Sequence, residues 1–454
     1  MTEFTVKINN MTSLLSLFAK LTRQEMKQDS GWCWLVFFCV CVNMFLVFGV
    51  HYTYGVLFPS ILKEFNQGQG KTAWAGSLAS GLLFLSSIVA IKLCEVTSIT
   101  FTCILGSLLS GTGIIMISVV SNFEWLYLVY GVFFGVGSSF LYTPGLVIIA
   151  QWFKKYQTIT TGIAAAAAPF GAVVLSPLIQ YMIIINGLKS TIKAGGLVYL
   201  IISLMCSLSY QPLVSYSRKK NDSLFKSERE SMKFKLDFAL FKKKTYCLFL
   251  VCMMVTNFSY YIPIVFLVSY AEQIGSSPPN ASLLITVWSV SSIIGRIAFG
   301  KFVSYKKKQI LNIYQYAMFF SATVSLVTMF ATKYWHLVCY VVLYGLLDGS
   351  FIGLISLVTM EIVGVKQLPQ GYGIMLTSIG FPIALGPTLT GYINDKKILP
   401  PNFMFVFAAV PFFIGSIIMF WIIKWNKKEH SLEAEMLKTD EESIVTFGKE
   451  IQKK

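Results

Sequence analysis

Apolar residues in this chain come in long runs separated by short polar gaps. The runs occupy 31–58, 73–93, 97–120, 124–150, 158–184 and 191–212 and, after a polar stretch, 245–270, 281–303, 309–331, 334–360, 370–393 and 402–425. Each is long enough for a helix of about 20 residues, the length that crosses the hydrocarbon core of a bilayer. Backbone N–H and C=O groups have no water to bond in lipid, so runs of this kind close their hydrogen bonds internally, as helices. A membrane β-barrel would instead alternate apolar and polar residues over segments of about ten, and the sequence has no such alternation. The pattern predicts an all-α polytopic membrane protein with twelve transmembrane helices in two six-helix bundles, 31–212 and 245–425. A segment 1–30 precedes them, a polar loop 213–244 joins them, and a tail 426–454 follows.

Composition agrees with this pattern. The 454 residues are 55% hydrophobic and only 13% charged, where soluble domains carry about 25% charged residues. The net charge of +16 matters through its placement. With the N-terminus in the cytosol, the loops and termini on that side hold 29 of the 37 Lys and Arg residues, and the opposite side holds 7. Positive residues favour the cytosolic side, so both termini and the central loop are expected there. This distribution argues for an orientation signal and against a nucleic-acid partner. The basic residues of the loop, Arg218, Lys219, Lys220, Lys226, Arg229, Lys233, Lys235 and Lys242 to Lys244, also suit anionic membrane lipid. Residues 1–30 are polar and mixed, unlike a cleavable leader, so the first span is expected to serve as the insertion signal. The nine cysteines fit neither a zinc cluster nor a disulfide framework. Cys33, Cys39, Cys41 and Cys103 lie in apolar runs, where Cys behaves as a small hydrophobe. Small residues at Gly131, Gly135 and Ala164 to Ala168 allow close helix packing, and Gly380, Pro382, Gly386 and Pro387 make the eleventh span bendable.

Two charges lie well inside spans: Arg296 in the eighth and Asp348 in the tenth. At 1.5 Å rise per residue, both sit roughly 21–22 Å from the outer entry of their helices. Ionisable groups at that depth are costly and mark functional sites. Arg296 offers a planar fork to a carboxylate; it also fits a structural ion pair with Asp348. Asp348 is that counter-ion, an acceptor for a substrate ammonium group, or a proton carrier. His51 in the first span suits a phenol or a carboxylate, or simple helix packing. Asn43 and Asn257 are polar residues within spans, and Tyr54, Tyr261 and Phe351 are candidate faces for an aromatic ligand. His336 lies at a span boundary. No catalytic grouping emerges, since His51, His336 and His430 are far apart by topology and no phosphate-cradling loop precedes a lysine. No metal or cofactor is expected, and no enzymatic activity. Asn280-Ala281-Ser282 is a glycosylation sequon placed tight against a span.

Six spans, a long basic loop and six more spans are the plan of the major facilitator superfamily. Within it, Asp29-Ser30-Gly31-Trp32-Cys33-Trp34 resembles the first-span signature of the monocarboxylate transporter family, with Ser30 and Cys33 where glycines are expected. Trp152-Phe153-Lys154-Lys155 followed by Gly162-Ile163-Ala164 is similar to its fifth-span signature, with Tyr156 and Gln157 replacing further basic residues. Phe48-Gly49-Val50-His51, Ile294-Gly295-Arg296 and Tyr344-Gly345-Leu346-Leu347-Asp348-Gly349 look closer to the thyroid-hormone and aromatic-amino-acid branch. In that branch the matching His, Arg and Asp contribute to substrate recognition. The lactate branch places an aspartate one turn before the arginine, where this chain has Ser292, and a lysine in the first span, where this chain has none between Trp34 and Leu62. The resemblance implies alternating-access transport of a small organic anion or an amino-acid-like zwitterion at the plasma membrane. Aromatic amino acids or iodothyronine-like molecules come first, by facilitated transport. The alternatives are a proton-coupled monocarboxylate symporter and, from another class, a non-transporting sensor or partner-binding protein. An accessory single-span chaperone of immunoglobulin type is a further candidate partner that the family brings in.

Overall fold

A computed structural model describes residue 29 and residues 31–210, 238–305, 309–365 and 367–426. The segment 1–28, the central loop through residue 237, the tail 427–454 and His430 lie outside the described residues. The described chain is helical: α1 Gly31–Tyr52, α2 Tyr54–Phe65, α3 Gln69–Leu85, α4 Ser87–Val96 and α5 Ile99–Ile117, then α6 Glu124–Trp152. The stretch Gln157–Leu208 follows, divided at Gly187 into α7 and α8. After the central loop come α9 Lys244–Tyr260, α10 Ile262–Gln273, α11 Pro278–Tyr305, α12 Ile310–Thr328, α13 Tyr334–Val363 and α14 Leu368–Asp395, and last α15 Pro401–Asn426.

Ten of these stretches are long and apolar enough to cross a membrane, and α3 with α4, bent by 46°, form an eleventh. Counting α7 and α8 separately makes twelve among the described residues. Gly187 takes φ 75°, a left-handed conformation that costs glycine little. The expected spans and the observed helices coincide to within a few residues, but several spans are interrupted where the hydropathy is smooth. The first breaks at Thr53, the second at Ser86 and the seventh at Tyr261. The break at Tyr261 has a local cause. Pro263 sits in the first turn of α10, where it lacks an N–H and its ring would clash with the carbonyl four residues back. Residues Tyr127–Phe134 of α6 wind as a π-helix.

Packing divides the described residues into two units, 31–52 with 86–210 and 53–85 with 238–426. These units and the halves 31–212 and 245–425 are different groupings, since the halves follow chain order and the units follow contact. The chain changes unit at Thr53 and again at Ser86, both of them helix breaks.

In the first unit the two sequence signatures meet. The Asp29 amide donates to the Trp152 carbonyl at 3.1 Å, and the Lys155 amide donates to Asp29 Oδ2 at 3.3 Å. Trp34 packs on Phe153 at 5.3 Å and on Tyr156 at 5.9 Å between ring centroids. Residues as far as 126 positions apart in the sequence thus form one lock.

In the second unit α3 lies along α14 through small residues. A side chain on Gly70 would meet the backbone of Tyr392 at 2.8 Å, and one on Gly81 would meet the Gly380 carbonyl at 2.7 Å. Ser77 and Thr388 share a hydrogen bond of 3.0 Å. Asp395, at the end of α14, accepts from the Gln69 amide at 2.6 Å and the Gly70 amide at 2.8 Å. A helix start leaves its first N–H groups without internal acceptors and carries partial positive charge, so this carboxylate acts as a borrowed cap. Asp395→Ala is expected to cost about 1 kcal/mol, the usual worth of a cap, and Asp395→Asn less. Thermal unfolding of the purified protein checks this; identical melting of Asp395→Ala and wild type would show that the cap contributes nothing.

Candidate functional site

The site is set by how closely α11 and α13 approach. Gly345, Gly349 and Gly353 are spaced by four and so line one face of α13. A Cβ on Gly345 would lie 2.6 Å from the Trp288 carbonyl oxygen and 2.7 Å from Ser291 Cβ. One on Gly349 would fall on the Ser292 carbonyl and lie 2.6 Å from the Arg296 amide nitrogen. One on Gly295 of α11 would fall in turn on the Leu346 carbonyl. Only hydrogen fits between these backbones, and contact of this kind fixes register as well as distance.

That register puts Ser292 beside Asp348. The Ser292 hydroxyl donates to Asp348 Oδ2 at 2.6 Å; the two residues are 2% and 5% exposed. The other carboxylate oxygen, Oδ1, accepts no hydrogen bond among the described residues, and the Tyr260 side chain of α9 also faces the carboxylate. Arg296 lies one helical turn beyond Ser292, is half-buried, and stands within electrostatic reach of the Asp348 carboxylate. Aromatic rings bracket the pair along α13. Tyr344, one turn before Asp348, lies 6.0 Å from Trp288 and 5.2 Å from Tyr340, and its buried hydroxyl makes no hydrogen bond among the described residues. Phe351, one turn after, stacks on Tyr314 at 5.3 Å and lies 6.1 Å from Tyr260 and 5.4 Å from Phe412.

The structure brings together Arg296, Asp348 and Phe351 from the residues expected by sequence. Ser292 enters the sequence reading only as an absent aspartate, yet it holds the carboxylate. Its spacing of four from Arg296 and the matching glycine spacing in α13 are the signals that point to it. The other expected residues have their own surroundings. Asn257 Nδ2 donates to the Met253 carbonyl of its own helix at 2.8 Å. Tyr261 is buried at the junction of α9 and α10. Tyr54 packs its ring on Gly76 and donates its hydroxyl to the Thr72 carbonyl at 2.5 Å, which joins α2 to α3. Asn43 and His51 belong to the first unit. Asn43 Nδ2 donates to the Tyr210 hydroxyl at 2.9 Å, tying α1 to the end of the sixth span. His51 is buried in the last turn of α1, its ring 4.6 Å from Phe134 of the π-helical stretch and 6.5 Å from Phe48.

A family model described as Major Facilitator Superfamily matches residues 34–363 and 247–450. The chain belongs to that superfamily. It is 29% identical over 420 residues to Monocarboxylate transporter 10 of Mus musculus, covering 89% of this chain and 81% of the relative. The figures for Monocarboxylate transporter 10 of Homo sapiens are the same. Monocarboxylate transporter 4 of Gallus gallus is 26% identical over 424 residues, covering 89% and 87% of the two chains. Among solved structures, the peptide transporter POT in complex with sulfate matches with a TM-score of 0.67 at 12% identity, over 89% of this chain and 97% of that one. The nucleoside transporter NupG matches with a TM-score of 0.65 at 15% identity, over 85% and 99%. These two show the fold alone. The resemblance to the monocarboxylate transporter family is borne out by the sequence relatives, and the facilitator fold by the solved structures. Members of the superfamily are transporters and not enzymes, so this chain is a multi-pass membrane transporter of small molecules in a lipid environment.

Proposed function

We propose that this transporter carries small organic zwitterions or anions by alternating access, with aromatic amino acids and iodothyronine-like molecules as its first substrates. The observation that carries this reading is the juxtaposition of Arg296 and the Ser292-bound Asp348 on interlocked helices. A guanidinium fork suits a carboxylate, a carboxylate with a vacant oxygen suits an ammonium group, and Tyr344 and Phe351 offer ring faces nearby. The relatives named Monocarboxylate transporter 10 support a carboxylate-bearing substrate. Transport is facilitated, at the plasma membrane, with both termini cytosolic and the basic central loop against anionic lipid. His51 is proposed to take part in substrate recognition on the sequence resemblance alone. An immunoglobulin-type single-span chaperone is proposed as the accessory partner on that same resemblance.

One observation favours a second reading, proton-coupled monocarboxylate symport. Asp348 is a buried carboxylate with an unoccupied oxygen, which is what an intramembrane proton carrier needs. Uptake of labelled aromatic amino acids, iodothyronines and lactate, with and without an inward proton gradient, separates the two. We expect gradient-independent uptake of the amino acids or iodothyronines. Lactate uptake that rises with the gradient, without uptake of the others, replaces the first reading by the second. A surface-expressed chain that moves nothing across a broad panel would instead be a sensor or a partner-binding protein.

A further inference from the structure

We infer that Ser292 is a specificity-determining positioning residue: its hydroxyl holds Asp348 so that Oδ1 is presented to a substrate ammonium group, and the transporter thereby discriminates amino acids from the same acids without the amino group. The inference rests on the carrier reading above.

Serine within a helix ordinarily returns its proton to a carbonyl of the preceding turn. This chain follows that habit at many positions. Ser80 donates to the Gly76 carbonyl, Ser107 to Cys103 and Ser110 to Gly106. Ser292 departs from it. Its proton crosses to another helix and meets Asp348 Oδ2 at 2.6 Å, a length typical of an O–H donor on an ionised oxygen. The departure is possible because Gly349 lets the α13 backbone press against the Ser292 carbonyl, which sets Asp348, the residue beside it, within reach of the hydroxyl.

The Ser292 donor on one oxygen restricts rotation of the carboxylate about its own axis. It also leaves the two oxygens chemically different. Oδ2 is occupied by Ser292, whereas Oδ1 is buried and accepts no hydrogen bond among the described residues, with the Tyr260 side chain facing the same carboxylate. A buried acceptor without a partner carries a desolvation cost that a ligand donor removes. An ammonium group supplies such a donor, together with the opposite charge. Arg296, one turn further along α11, supplies the complementary site for the carboxylate of the same molecule. A substrate without the amino group uses only the arginine and leaves Oδ1 unpaired, and sites with buried polar groups discriminate strongly against analogues that leave those groups unsatisfied. A hydroxyl that merely glued α11 to α13 would have no preference between the two ligands.

The test is transport kinetics in cells, normalised to surface protein, for Ser292→Ala and Ser292→Thr. Each is offered an aromatic amino acid and the arylpropionate that lacks its amino group. For Ser292→Ala we expect the KM of the amino acid to rise about tenfold, the scale of one hydrogen bond to a charged group. The KM of the arylpropionate should change less than about twofold and Vmax should be retained. Ser292→Thr, which keeps the hydroxyl, should restore the amino-acid KM. Equal shifts for both substrates, a loss confined to Vmax, or no rescue by threonine would overturn the inference in favour of a structural role. Arg296→Ala run alongside keeps the two readings apart. Full uptake by that variant removes the site itself, whereas its loss together with an unchanged Ser292→Ala selectivity removes only the role of Ser292. A wild-type chain that moves neither substrate removes both.

Discussion

Arg296→Ala is expected to lower uptake by about 100-fold or more in Vmax/KM, while surface protein stays measurable. Removing the half-buried cation that acts electrostatically on the buried Asp348 carboxylate is expected to cost on the order of 2–3 kcal/mol, the low end of the range for charge pairs, and the expected effect on transport follows from the proposed loss of the carboxylate anchor. The same truncation deprives the buried Asp348 carboxylate of a nearby cation, and breaking such a pair destabilises folds by about 3–5 kcal/mol. Surface level is therefore the necessary denominator. Two further variants separate transport from folding. Arg296→Lys keeps the charge but loses the planar two-donor fork, so it should fold as wild type and transport poorly. Arg296→Ala combined with Asp348→Asn removes both charges and should recover surface expression without recovering uptake. Recovered uptake in the double variant would mean that the pair serves structure and not substrate.

The second large effect is expected at Gly349→Val. The added carbons would meet the Ser292 carbonyl and the Arg296 amide. Both are backbone atoms of a helix and cannot rotate away. Overpacking costs about 1–3 kcal/mol when side chains can adjust, and here the adjustment has to come from separating α11 and α13. Both melting temperature and uptake should fall, because the separation also pulls Asp348 from Ser292. Gly300→Ala, on the same α11 with nothing within 4 Å of the added carbon, is the control and should melt at or above wild type, since alanine favours helix over glycine. Gly349→Val with wild-type melting and uptake would show that the close approach has no structural consequence.

Much of the fold was legible from residues alone. The apolar runs placed the spans because lipid leaves helices as the only form that closes its backbone hydrogen bonds within one segment. The two charges stood out for the same reason, as costly exceptions in apolar runs. What hydropathy could not convey is local geometry. The breaks at Thr53 and Ser86 fall within continuous apolar sequence, and the π-helical turns of Tyr127–Phe134 leave no mark in composition. Asn43, Asn257 and Tyr54 show the limit at the level of single side chains. Asn43 and Asn257 stand out in the sequence as polar residues within spans and Tyr54 as an aromatic face, but the carbonyl or hydroxyl each donates to is set by packing that hydropathy does not convey. The sequence also could not reveal which partner Ser292 chooses, since that depends on a helix 56 residues away.

The association of α3 with α14 bears on how the chain is made. The Gly70 amide and its acceptor on Asp395 are 325 residues apart. When the second and third helices leave the ribosome, the glycine face of α3 has no surface to fit, and its leading amides lack their carboxylate until almost the whole polypeptide has been synthesised. Completion of the packing of residues 53–85 is therefore deferred to the end of translation. A product that stops in the central loop lacks the segment its early helices need, which gives the cell a physical basis for distinguishing unfinished copies from finished ones.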